Sequence, residues 1–233
     1  MIDVHPKAAK FNGKTLITGF HGIGATGYWA VKYLIEKLET NRIACIDSDH
    51  VAAVSTCYNG HLVTPCELYE HKSMVFLRAV TPPEKVAEVT FFREISEWIA
   101  NSGFKEVVLI GGLDLTLKDD ESTFRIVHTS KWKPRSKLED AQKLQDDRLI
   151  VGPVAILLNY FEMTEFPALA ILSYAAAERV DPRGAANALE ALSKYLKFDI
   201  DVKPLIKGAE EMESQISKNE GTRERGFSEH IYT

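Results

Sequence analysis

The chain has only three cysteines in 233 residues, too few and too irregularly placed for a disulfide framework. Cys45 falls in an apolar run and reads as a small core residue. Cys57 and Cys66 flank Asn59-Gly60-His61 at a spacing that matches no zinc pattern, so no metal is expected. Long apolar runs are also missing. The longest, Val151 to Tyr160, is too short to span a bilayer. The opening residues, Met1 to Lys7, lack the charged-then-apolar order of a secretory signal. The expectation is a cytoplasmic protein with no membrane partner. A net charge of −5 and the lack of any basic run argue against nucleic acid as a partner. There is no G-x-S-x-G elbow, P-loop or H-E-x-x-H pair, so no catalytic residue is assigned. What is present, 45% hydrophobic and 26% charged residues, is an ordinary globular balance in a chain long enough to bury a sizeable core.

The chemistry-bearing stretch runs from Thr15 to Asp49. Thr15 to Phe20 is apolar and β-branched, which reads as a buried strand. His21-Gly-Ile-Gly-Ala-Thr-Gly27 follows, with glycines suited to a sharp strand-to-helix turn. Trp29, Val31, Leu34, Ile35 and Leu38 then recur at helical spacing. A second strand, Arg42 to Asp47, closes a β-turn-α-β unit. Two readings stay open. Gly22, Gly24 and Gly27 spell G-x-G-x-x-G, with Asp47 twenty residues further on where a ribose-binding acid would stand. Equally, glycines are needed wherever a strand turns tightly into a helix packed on a sheet. His21 is the best general-base candidate, with Asp47, Asp49 and His50 placed to end the adjoining strand. The same residues also suit simple loop-end polarity.

Further along, Asn59-Gly60 marks a turn between short extended pieces, and Ser73 to Val80 reads as a strand. Thr81-Pro82-Pro83-Glu84 carries the cues of a helix start, an N-cap, a proline at the first position and a capping box. Lys105 to Ile110 predicts a strand ending in a turn at Gly111-Gly112. Lys131 to Asp147 reads as mostly surface, with a helix over 137–145. Pro153 opens a buried helix to Met163, Phe166 to Leu172 is a strand, and Asp181-Pro182 caps a helix to Leu196. Strands alternating with helices imply an α/β domain, a mostly parallel sheet covered by helices on both faces.

The last forty residues differ in kind. The expected division is an α/β domain over 1–200, an amphipathic helix over 201–218 and a flexible tail over 219–233. Val202, Leu205, Ile206, Ala209, Met212 and Ile216 form a narrow apolar stripe. Such a stripe suits a subunit interface or, equally, covers one sheet face. The chain ends Ile231-Tyr232-Thr233, an apolar residue and an aromatic on a polar leash, with a carboxylate available for capture.

Several blocks together resemble the proteasome-assembly chaperone family, in particular its archaeal homologues. They are Gly19-Phe-His-Gly-Ile-Gly-Ala-Thr-Gly27, Tyr33 to Leu38, Leu109 to Leu113, Gly152 to Leu158 and Asp181-Pro-Arg-Gly-Ala-Ala186. The resemblance implies a nucleoside-phosphorylase-like α/β domain that binds proteasome α subunits, has no catalysis and needs no cofactor. It also implies that Gly19, Gly22, Gly24 and Gly27 shape the fold or an interface, and that the chain forms a homo-oligomer of about four to six subunits. Ile231-Tyr232-Thr233 is similar to the hydrophobic-Tyr-X terminus of proteasome activators. Average composition makes such an ending an event of about one in a hundred. Other outcomes to be weighed are a nucleotide-binding enzyme built on the glycine loop, and a scaffold for another partner that keeps its tails buried.

Overall fold

The apolar runs read as buried strands come together in one sheet. The computed structural model describes residues 2–6, 11–134, 138 and 141–212. Its elements are β1 (Asp3–His5), β2 (Thr15–Gly19), α1 (Thr26–Lys37), β3 (Asn41–Asp47), β4 (Thr56–Tyr58), β5 (His61–Val63), β6 (Cys66–His71) and β7 (Met74–Ala79). They continue with α2 (Glu88–Asn101), β8 (Glu106–Asp114), β9 (Phe124–His128), α3 (Pro153–Met163), β10 (Ala168–Ala175) and α4 (Pro182–Leu196). Residues 203–212 form a further helix, α5.

The sheet order is β1-β3-β6-β7-β2-β8-β10-β9. Its centre, β7-β2-β8-β10, is parallel, and the strands outside it join antiparallel. Every residue of β2, β7 and β10 is buried, because a parallel strand covered on both faces has no wet side. One face packs Leu16, Val75, Leu77, Val107 and Leu109 against α2 and α3. The other packs Ile17, Phe76, Val108, Ile110 and Ile171 against α1 and α4. The α/β class with two covered faces is as expected. Asn59 (φ 49°) and Gly60 (φ 77°) form the expected turn, joining β4 to β5 in a separate hairpin.

Three local expectations are corrected. The helix after Thr81 begins only at Glu88, with Ala87 at its N-cap. A residue preceding proline is held out of the helical region, and Pro82 and Pro83 impose this on both Thr81 and Pro82. Gly111-Gly112 is no turn, because β8 runs through it to Asp114. The described residues of 131–147 are mostly exposed, as expected, except that Trp132 and Leu138 are buried. Residues 141–145 are not helical; they bring Lys143 beside Ile126 in a single bridge. Trp132 Nε1 donates to the Tyr195 hydroxyl (3.1 Å), which donates to the buried Glu106 carboxylate (2.8 Å), tying that segment down.

The β6–β7 flank holds a buried polar network. Glu67 faces Arg78 across the strand pair and accepts from Arg78 (2.7 Å), Arg42 (2.8 Å), the Tyr69 hydroxyl (2.6 Å) and the Thr64 amide (2.9 Å). Burial pushes the Glu67 carboxyl up. The hydrogen bonds from Tyr69, Thr64 and Arg42 and the charge of Arg78 outweigh burial, so the group sits below its ordinary 4.5. A depressed folded value means that the contribution is complete above the unfolded value and is lost as pH falls through the folded one. The melting temperature is expected to fall as the pH drops below that ordinary 4.5 and through the lower folded value. Glu67→Gln should flatten that dependence in parallel melts.

Val202, Leu205 and Ala209 of the C-terminal stripe are buried, the first two within the core cluster on the α1/α4 side of the same chain. Ile206 and Met212 remain partly exposed. Two of its members, Val202 and Leu205, thus pack within their own chain. Ile216 lies outside the described residues.

Candidate functional site

In a parallel sheet, ligand sites form at the carboxyl ends of the strands. Here β2 and β8 end beside the glycine loop and the start of α3. The loop itself is packed tight. A Cβ on Gly27 would lie 2.3 Å from the Ile110 carbonyl oxygen, and one on Gly19 would lie 2.5 Å from Gly27 Cα. Both contacts are with backbone, so β2, α1 and β8 approach as closely as main chains allow. Gly24 takes φ +62°, with Ala175 and Asp181 where its side chain would be. Gly22 is extended, with open space at its Cβ position. Gly112 lies in β8 because the Ile23 carbonyl sits 2.3 Å from its Cβ position.

This is not the arrangement of a dinucleotide fold. Asp47 ends β3, which is separated from β2 by β6 and β7, about 14 Å away at ordinary strand spacing. Its carboxylate accepts from the Ser48 amide (2.9 Å). The buried Asp181 also stands against the loop, its amide donating to the Gly24 carbonyl (2.9 Å). Its carboxylate accepts from the Arg183, Gly184 and Ala176 amides, as an N-cap should. A full negative charge there opposes a pyrophosphate.

His21 lies against Tyr28, ring centroids 4.1 Å apart. Burial lowers its pKa, which favours the neutral ring, and its Nδ1 has no hydrogen-bond partner among the described residues. Asp47, Asp49 and His50 do not share the cleft that His21 lines. His50 instead faces Glu94 of α2 at 3.8 Å. The acid–base cluster considered from sequence is not assembled. Cys57 is exposed, Cys45 half-buried and Cys66 buried, all three free, and burial pushes the Cys66 thiol up to about 12. Among the described residues no group of three or more His, Cys, Asp or Glu is placed to hold a metal. No helix among them is long and apolar enough to cross a membrane.

Sequence reasoning missed the cleft at the carboxyl ends of β2 and β8. It encloses about 340 Å³ between the glycine loop, the end of β8 and the start of α3. Leu149 and Val151 stand exposed at its rim, although their composition reads as core. The available signal was Gly152-Pro153, which bars helix before Pro153 and leaves 149–151 as connection. Ile231, Tyr232 and Thr233 lie outside the described residues.

A three-layered α/β domain, one sheet between two helix layers, with a close-packed glycine loop and an apolar cleft is thus the class that fold and site define. The chain matches the PAC2 family model over residues 16–220, and it belongs to that family. It is similar to PbaA of Pyrococcus furiosus, an archaeal homolog of proteasome-assembly chaperone, with 22% identity, 97% of this chain and 99% of that one covered, and a TM-score of 0.75. PbaB of the same organism, an archaeal proteasome activator, shares 20% identity over 94% of this chain and 98% of its own, with a TM-score of 0.72. Proteasome assembly chaperone 2 of Danio rerio is 25% identical over 146 residues, 58% of this chain and 56% of that protein.

Proposed function

We propose that this protein is a non-enzymatic, homo-oligomeric proteasome-assembly chaperone or activator of the cytoplasm that docks its C-terminus between neighbouring proteasome α subunits. Family membership over nearly the whole chain carries the reading, and the terminal Ile231-Tyr232-Thr233 supplies the contact. Tyr232 is the anchor, Ile231 an apolar neighbour and the Thr233 carboxylate the captured charge. An oligomer offers several such termini at once, so individually weak docking gains by effective concentration. The close packing of the glycine loop supports its role in shaping the fold.

The test is a C-terminal extension. Adding a few residues after Thr233 removes the carboxylate from its position without touching the folded domain. Sedimentation with a proteasome core particle is expected to show binding of the native terminus and its loss in the extended protein. Equal co-sedimentation of both would overturn the mechanism.

A further inference from the structure

The cleft beside the glycine loop has features that neither the fold nor the C-terminal contact uses. Its wall is apolar, built from Phe20, Ile110, Leu113, Val154 and Leu172. Its rim carries large apolar side chains in water: Leu149 is 86% exposed, Val151 71% and Leu117 46%. Val86 and Val89 are exposed on either side of Glu88, which itself lines the cleft. Single exposed apolar residues are ordinary on a folded protein, whereas several gathered around one concavity mark an interaction site.

Charge narrows the occupant. Two carboxylates, Glu88 and Asp114, line the cleft, and among the described residues no lysine or arginine does. Asp114 is fixed by the amide and hydroxyl of Thr116 (2.9 and 2.8 Å). The α1 and α3 N-termini nearby carry only about half a positive charge each, which two full carboxylates outweigh.

We propose that this cleft is a docking pocket for a segment of a partner protein that inserts an apolar side chain and sets a lysine or arginine beside it. A second copy meeting it about a two-fold axis would place Glu88 and Asp114 against the same acids. The Thr233 carboxylate would add a third negative charge to a rim that already holds two. An apolar anchor with a basic neighbour satisfies wall and rim together, and about 340 Å³ admits one or two side chains.

Two fluorescein-labelled probes, acetyl-Lys-Leu-Phe-Leu-Lys-amide and acetyl-Glu-Leu-Phe-Leu-Glu-amide, test it by anisotropy on the full chain. The basic probe is expected to bind at least about tenfold tighter, with the preference shrinking as salt is raised. Leu149→Ser combined with Val151→Ser, which removes the apolar rim and leaves its charge unchanged, should weaken the basic probe at least about tenfold. The melting temperature should stay unchanged, since both side chains already face water. Glu88→Gln, a milder variant, should narrow the preference between the probes. Absence of basic-probe binding, equal binding of both probes, or binding indifferent to the Leu149/Val151 pair would each overturn the proposal.

Discussion

Gly27→Ala is expected to destabilise the protein by more than about 4 kcal/mol, while Gly22→Ala, five residues away, changes stability by less than about 1 kcal/mol. Helix propensity alone predicts the opposite sign at position 27. Gly27 lies in the first turn of α1, where alanine is the better helix former by about 1 kcal/mol. The contact decides the sign. An added methyl would stand 2.3 Å from the Ile110 oxygen and 2.8 Å from both Gly19 Cα and Phe20 N. All three are backbone atoms of strands or loop, with no rotamer available to relieve them. Gly22 has an extended φ of −151° and nothing within 4 Å of its Cβ position, so alanine fits there. Denaturant unfolding of the two variants separates a loop that joins elements from one kept open for a ligand. A stable Gly27→Ala protein would remove the packing account of the loop.

Arg78→Met is expected to cost about 3 kcal/mol, at the lower end of the range for breaking a buried ion pair. The reason lies in what stays behind. Glu67 is fully buried and would lose the 2.7 Å bond from Arg78. Tyr69, which accepts from Arg78 at 3.1 Å, loses a donor too. Arg42 keeps its 2.8 Å contact with Glu67, but its side chain is 43% exposed and screened by water. Replacing both residues, Glu67→Leu with Arg78→Met, removes the stranded charge and should cost less than the single change. A double-mutant cycle read by denaturant unfolding checks the order; a double variant worse than Arg78→Met would refute it.

Much of the scaffold was legible because its signals are local. Pro153 at a first helical position and Asp181 before Pro182 each mark a helix start by backbone chemistry, and α3 and α4 begin where they say. The predominantly apolar runs of β2, β7 and β10 announce strands buried on both sides. Where a local signal competes with another, sequence reading fails. Thr81 to Glu84 matches a capping box, yet the paired prolines win and α2 starts at Glu88. Gly111-Gly112 looks like a turn but is strand, because the loop that presses on it is distant in sequence.

The site was less legible for the same reason. The spacing from Gly27 to Asp47 is that of a dinucleotide fold, and only strand order shows that β3 has two strands between it and β2. The stripe at Val202, Leu205 and Ala209 has one spacing whether it meets its own domain or another subunit, and the packing of Val202 and Leu205 into their own chain shows only in three dimensions. Leu149 and Val151 have the composition of core, and their exposure follows from where α3 begins.

The central claim, that this PAC2-family protein works by docking its terminus on the proteasome, is tested most directly by removing residues 231–233. A purified archaeal core particle is incubated with the full chain or the truncated one, and both retention and stimulation of peptide hydrolysis are read. The account predicts that the full chain is retained and raises the hydrolysis rate, and that the truncated chain does neither while melting at the same temperature. Retention of the truncated chain at the level of the full one, or retention of neither, would contradict it.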